Sequence, residues 1–175
     1  TQPWRFIVCG NSVMEKISSL RDVYMESILE GEALEKYRKK VIRKRNSIKN
    51  TSYTIFIMVK AVTTSTGRRM KEWEEIAAVS MAVQNFHLQL TTYWNNGIGG
   101  YWSSGGVDSY LKNSKDIREL LGAENGQKEE GVPDDIILGA FHLGCVLPSK
   151  MNKYKSSRGD IKDKVKWMKQ AKYNR

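Results

Sequence analysis

The run Gly97-Ile98-Gly99-Gly100-Tyr101-Trp102-Ser103-Ser104-Gly105-Gly106 holds the residues best suited to chemistry in this chain. Glycine adds no side chain, so backbone N–H and C=O groups there can come close to a flat ligand. One indole and two hydroxyls accompany them. The run carries no proton-transfer pair and no metal ligands. Reaction at such a place is the work of a bound cofactor, with the protein supplying orientation and hydrogen bonds.

The other reactive side chains read as structural. His87 and His142 have no carboxylate or nucleophile at a telling spacing, and both are expected to be satisfied core or strand histidines. Cys9 and Cys145 form neither a disulfide framework nor a zinc motif. Both lie in apolar, strand-like segments, so buried free thiols and a reducing compartment, cytoplasmic or organellar, are expected. The triplet Asn50-Thr51-Ser52 matches a glycosylation acceptor, but nothing in the chain reads as a secretory signal.

Placing these residues requires a fold. The 175 residues suit a single domain, and 40% hydrophobic residues spread along the chain argue against disorder. Residues 5–9 read as a strand entered through Pro3, followed by a break at Gly10-Asn11. Ser12 and Glu15 match a capping box that would open a helix. Charged helical sequence then runs to about residue 45, interrupted at Gly31. This arm, bounded at residues 12–52, is too polar for the central core and reads as an outer helical layer or lid.

Residues 53–62 are nearly all apolar or β-branched, as in a central strand. Residues 73–95 form the longest helical pattern. Ile76, Val79, Val83, Phe86, Leu90 and Tyr93 recur three and four apart, and Ala77, Ala78, Met81 and Ala82 widen the apolar surface to most of the circumference. A helix apolar all round is buried. Gln84, Asn85, His87 and Gln89 make it a poor membrane span. A seam between two copies of the chain would bury it, with Gln84 and Asn85 as polar ties. Gly97 suits the left-handed residue that ends a helix. A strand over residues 99–103, a helix over 108–121 capped at Ser114, a strand over 135–145 and a short helix near 161–168 complete the reading. The expected class is α+β: a central mixed or antiparallel sheet, flanked by helices, around one long buried helix.

The formal net charge is +10, and Lys36, Arg38, Lys39, Lys40, Arg43, Lys44 and Arg45 carry much of it. A solvated helix face accounts for such a run. Contact with nucleic-acid phosphate is the competing account, but no aromatic residues are interleaved as stacking platforms.

Taken in order, these segments resemble the FMN-dependent nitroreductase family. Gln2-Pro3-Trp4-Arg5-Phe6-Ile7-Val8 is similar to the family's strand entry. Glu75-Ile76-Ala77-Ala78-Val79-Ser80-Met81-Ala82-Val83-Gln84-Asn85-Phe86-His87-Leu88 is similar to its central dimer helix, and the glycine-rich run to the Trp-Ser/Thr-Gly segment after that helix. Asp135-Ile136-Ile137-Leu138-Gly139-Ala140-Phe141-His142-Leu143-Gly144 resembles the following strand, and Ser157-Arg158-Gly159-Asp160 the family's basic residue near the end.

The resemblance implies FMN at a homodimer seam, NAD(P)H as electron donor, and a nitroaromatic, quinone or related acceptor reduced in a ping-pong sequence. It implies that Gln2 hydrogen-bonds the flavin or its ribityl chain. Trp102, Ser103, Ser104 and Gly105 would lie along the ring, and Arg158 would hold the phosphate. Lys150 and Lys155 are weaker candidates for the same charge. Trp73, Trp94 and Trp167 are assigned to packing. The family's Arg-rich helix and serine/asparagine loop, which contact the flavin phosphate and ribityl chain, have no counterpart in these residues. The sequence is therefore expected to be a fragment of a longer chain, a single domain over residues 1–175. Three readings compete: a flavin-dependent dehalogenase of the same superfamily, a basic nucleic-acid-binding module, and a non-catalytic dimer.

Overall fold

A computed structural model describes residues 2–60, 62–104, 114–123, 135–151, 159–160 and 163–165, without the side chains of 44, 46–49 and 150. Strand β1 (Trp4–Cys9) leads into helices α1 (Asn11–Ile28) and α2 (Gly31–Lys49). Strand β2 (Tyr53–Val59), helix α3 (Glu72–Thr91), strand β3 (Ile98–Ser103), helix α4 (Lys115–Leu120) and strand β4 (Ile136–Cys145) follow. The four strands form one sheet in the order β1-β2-β4-β3, every neighbouring pair antiparallel. The expected α+β class holds, and the sheet is antiparallel rather than mixed.

The apolar run in β2 is explained by burial on both faces. Side chains alternate across a strand. Phe56 and Met58 join Cys9, Ile137, Ala140, Met14, Ile17, Ile117 and Leu121 on the side of α1 and α4. Ile57 and Val59 join Phe141, Val79, Val83 and Leu90 on the side of α3. The register slips between Ile57 and Met58, which face Gly139 and Ile137, so Leu138 is an extra residue in β4. A bulge of this kind bends its strand and increases the local twist.

Three local readings differ from the sequence expectation. The first helix is capped by Gly10, with no side-chain cap bond, so Ser12 and Glu15 form no capping box. The Gly10 carbonyl accepts the Met14 N–H at 3.2 Å, and the cap lies two residues earlier than Ser12. The arm is also not wholly an outer layer. Met14, Ile17, Ser18 and Arg21 of α1 are buried, while Val23 and Ile28 further along are exposed. Finally, Cys145 is exposed and only Cys9 is buried. Cys145 is the last residue of β4, opposite Ile98, where the sheet ends.

Other expectations stand. Gly97 closes a 3-10 turn, Trp94–Asn96, at φ 74 and ψ 19, in the left-handed region. Ser114 caps α4, its side chain accepting the Ile117 N–H at 3.4 Å. Lys36, Arg38, Lys39, Lys40, Arg43 and Arg45 are exposed on α2. Glu32 pairs with Lys36 at 2.7 Å and Asp22 with Arg45 at 2.6 Å, while Arg38 reaches Glu26 and Glu35. This is the solvated face expected. The first part of the expected helix over 108–121, residues 108–113, and most of the one near 161–168 lie outside the described residues.

Candidate functional site

The Trp102-Ser103 end of β3 is at the margin of the sheet, because β3 pairs only with β4 among the described residues. Two close approaches build it. A Cβ on Gly100 would lie 2.5 Å from both the His142 carbonyl and Phe141 Cε1, and 3.2 Å from Leu90 Cδ2. Glycine there therefore lets β3 lie against the His142 carbonyl and the Phe141 ring of β4. A Cβ on Gly139 would overlap Trp102 Nε1 and sit 2.8 Å from the Ser103 carbonyl. The indole thus rests against bare backbone of β4. Trp102 remains 39% exposed, which leaves part of its ring open to a ligand. Ser103 is half-buried beside it, and Ser104 is exposed.

Gln2 is exposed, immediately before the fully buried Pro3. The Pro3 carbonyl accepts the Lys60 N–H at 2.7 Å, which ties the strand entry to the end of β2. Strand directions put Gln2 and Ser104 at the same end of the sheet. They are not brought together. Ser103 is level with Ala140, Phe56 and Ile7, three strands across. With about 4.8 Å between strands and about 3.4 Å per residue, Gln2 and Ser104 lie on the order of 20 Å apart. One flavin ring does not span that within a single chain. Gly105 and Arg158, and with them Lys155, lie outside the described residues; of Lys150 only the backbone is described.

The histidines divide. His142 is half-buried on β4, with Nδ1 3.3 Å from Thr54 Oγ1 and its ring 5.3 Å from that of Tyr101, a strand histidine as expected. His87 is exposed on α3 and meets Phe141 edge-on at 5.4 Å. It is not a core residue of the single chain: it flanks the sheet-facing stripe of α3, touching Phe141 with one edge while the rest of the side chain stays exposed. Trp94 packs over Gly99, and Trp73 is 65% exposed rather than packed. Trp167 lies outside the described residues. Burial pushes the Cys9 thiol above its ordinary range. Among the described residues no cluster could hold a metal ion.

The sequence reading missed the charged groups that hold this end together. Asp135 is 5% exposed and accepts from Arg5 Nη1 at 3.3 Å, and its backbone carbonyl accepts from Arg118 Nη1 at 3.1 Å. Glu75, also buried, accepts the Val62 N–H at 2.8 Å and anchors the connection into α3. A charged residue in an apolar strand entry was the available signal for Arg5. Its partner, 130 positions away, left none.

A four-stranded antiparallel sheet with one long helix across it, and an indole and hydroxyls at a sheet margin, is the arrangement to set against known α+β folds. The model of the nitroreductase family matches residues 1–144, and the chain belongs to that family. No curated protein matches it. Among solved structures, a nitroreductase-like family protein from Bacillus cereus is 21% identical, covering 96% of this chain and 74% of its own, with a TM-score of 0.58. The FMN-dependent nitroreductase NfnB of Mycobacterium smegmatis, solved with NADPH, is 13% identical over 97% of this chain and 80% of its own, TM-score 0.60. A nitroreductase with bound FMN from Bacteroides fragilis is 14% identical over 95% and 76%, TM-score 0.57. At these identities the likeness concerns the fold.

Proposed function

We propose that this protein binds FMN and uses NAD(P)H to reduce nitroaromatic, quinone or related acceptors. The observation that carries the reading is the open face of Trp102 beside Ser103 and Ser104, in a chain whose family model spans residues 1–144. The donor set suits the cofactor. An indole face, hydroxyls and backbone N–H groups match a flat, uncharged ring system rich in acceptors. FMN, when bound, supplies hydride acceptance and donation. Trp102 would cover one part of the ring, Ser103 and Ser104 would orient it, and Gln2 would offer an amide to the ring or the ribityl chain. Gly105 and Arg158 are assigned to the ring and the phosphate by family resemblance alone.

The separation of Gln2 from Ser104 favours a site completed by a second copy, each chain giving one set of contacts. The helix α3 fits that arrangement. Trp73, Met81 and Leu88 are 65%, 62% and 55% exposed, with Gln84 and Asn85 exposed among them. Such an apolar face rimmed by polar groups marks an interaction surface. No helix among the described residues is long and apolar enough to cross a membrane.

Donor and acceptor stacking in turn on one ring would give parallel lines in double-reciprocal plots of NADPH oxidation with a nitroaromatic. Intersecting lines would reject the shared place. Full-length protein that is colourless and takes up no added FMN would reject the whole reading.

A further inference from the structure

We propose that Asp135 is a positioning residue for the cofactor site: through Arg5 it sets where Gln2 stands. This rests on the flavin reading above. The physical case is the convergence of three sequence-remote elements on one buried group. Arg5 lies on β1, three residues after Gln2. Its guanidinium meets the Asp135 carboxylate at 3.3 Å, where that side chain is 4% exposed. Arg118 of α4 is itself buried and donates to the Asp135 carbonyl at 3.1 Å. The Arg5 head also passes the end of α4, where a Cβ on Gly122 would lie 3.9 Å from Arg5 Nη2.

Burying the Asp135 carboxylate, 4% exposed against 35% for Arg5, offsets much of the pair's attraction, so the pair is a costly way to gain stability. Its advantage is directional. Arg5 Nη1 meets one carboxylate oxygen, and an apolar pair would leave β1 free to slide or tilt at its edge. That edge needs fixing. Among the described residues β1 is the outermost strand and pairs only with β2, and Gln2 extends beyond its first residue. Pro3 burial and the Lys60–Pro3 bond hold the entry from the β2 side, and Asp135 holds it from the β4 side. The same residue starts β4 next to α4, the helix that follows the glycine-rich run. One carboxylate thus ties Gln2's strand to the return path of the ring-facing segment.

The test is a double-mutant cycle on FMN affinity, read by quenching of flavin fluorescence in the full-length protein. Gln2→Ala is expected to weaken binding about tenfold, and Asp135→Asn, which only displaces Gln2, to weaken it by no more than that. The double variant should then bind within about twofold of Gln2→Ala alone, because displacement costs nothing once the amide is gone. Losses that multiply would overturn the proposal. Arg5→Lys, which keeps the cation and shortens its reach, gives the same non-additive pattern in smaller measure if Asp135→Asn does not fold. Should the parent protein bind no FMN, the flavin reading falls, and amide exchange decides the positioning claim. The Lys60 amide, bonded to Pro3, should then exchange about tenfold faster in Asp135→Asn while the Ile57 amide is unchanged. Equal acceleration at both, or none at Lys60, would overturn it.

Discussion

Replacing Gly139 by alanine probes the seat of Trp102 directly. The added methyl overlaps Trp102 Nε1 and comes to 2.8 Å from the Ser103 carbonyl. The indole has room to move, since Trp102 is 39% exposed, but the carbonyl is backbone of β3 and yields only if the strand bends. Overpacking of this kind costs about 1–3 kcal/mol. Alanine returns about 0.4–1 kcal/mol by restricting the unfolded chain. The net loss is about 1–2 kcal/mol, which for a chain of this size lowers Tm by about 2–8 °C. Thermal melting followed by circular dichroism measures it, with Gly159→Ala as the control, since among the described residues a Cβ there meets only Lys164 Cε at 4.0 Å. Repeating Gly139→Ala in a Trp102→Phe background should recover at least about 0.5 kcal/mol, because the indole nitrogen is gone. If Gly139→Ala melts like the parent, or costs the same with and without the indole, the proposed seat is wrong.

Further outcomes follow from other contacts. Met81→Glu, at a position 62% exposed, should leave the single chain as stable as before but shift sedimentation from dimer to monomer; a persistent dimer would exclude α3 as the seam. Glu75→Ala strands the Val62 N–H and should cost about 1–3 kcal/mol in urea unfolding, with most of it retained in Glu75→Gln. The Tyr37 hydroxyl donates to Asp22 Oδ1 at 2.5 Å, and burial, then this bond, push its pKa from 10.0 to about 12, against the lowering effect of Arg21. The protonated form is thus favoured by folding. Its contribution is complete below pH 10.0 and is lost as pH rises toward about 12, so Tyr37→Phe should flatten the alkaline fall in the urea midpoint across that window.

Much of the architecture was legible along the chain. The runs 53–62 and 135–145 read as strands, the first a central one, because burial on both faces tolerates near-continuous apolar sequence; the strands themselves are 53–59 and 136–145. The three-and-four spacing from Ile76 to Leu90 defined α3, and Gly97 its exit, because helical period and the left-handed residue are local properties. The Trp102-Ser103-Ser104 run was picked out for the same reason, its glycines speaking for close approach.

What only the tertiary structure decided was which residues meet. The order β1-β2-β4-β3 puts Gln2 and Ser104 at one end yet far apart, and no local pattern encodes the strand order. The bulge at Leu138, the Gly139 seat for Trp102 and the Arg5–Asp135 pair all depend on neighbours remote in sequence. So did the two cysteines: alike in their apolar context, they part because β1 ends over the core and β4 runs on to the rim. Period and composition tell a residue which face it occupies; the pairing of distant strands tells it what it touches there.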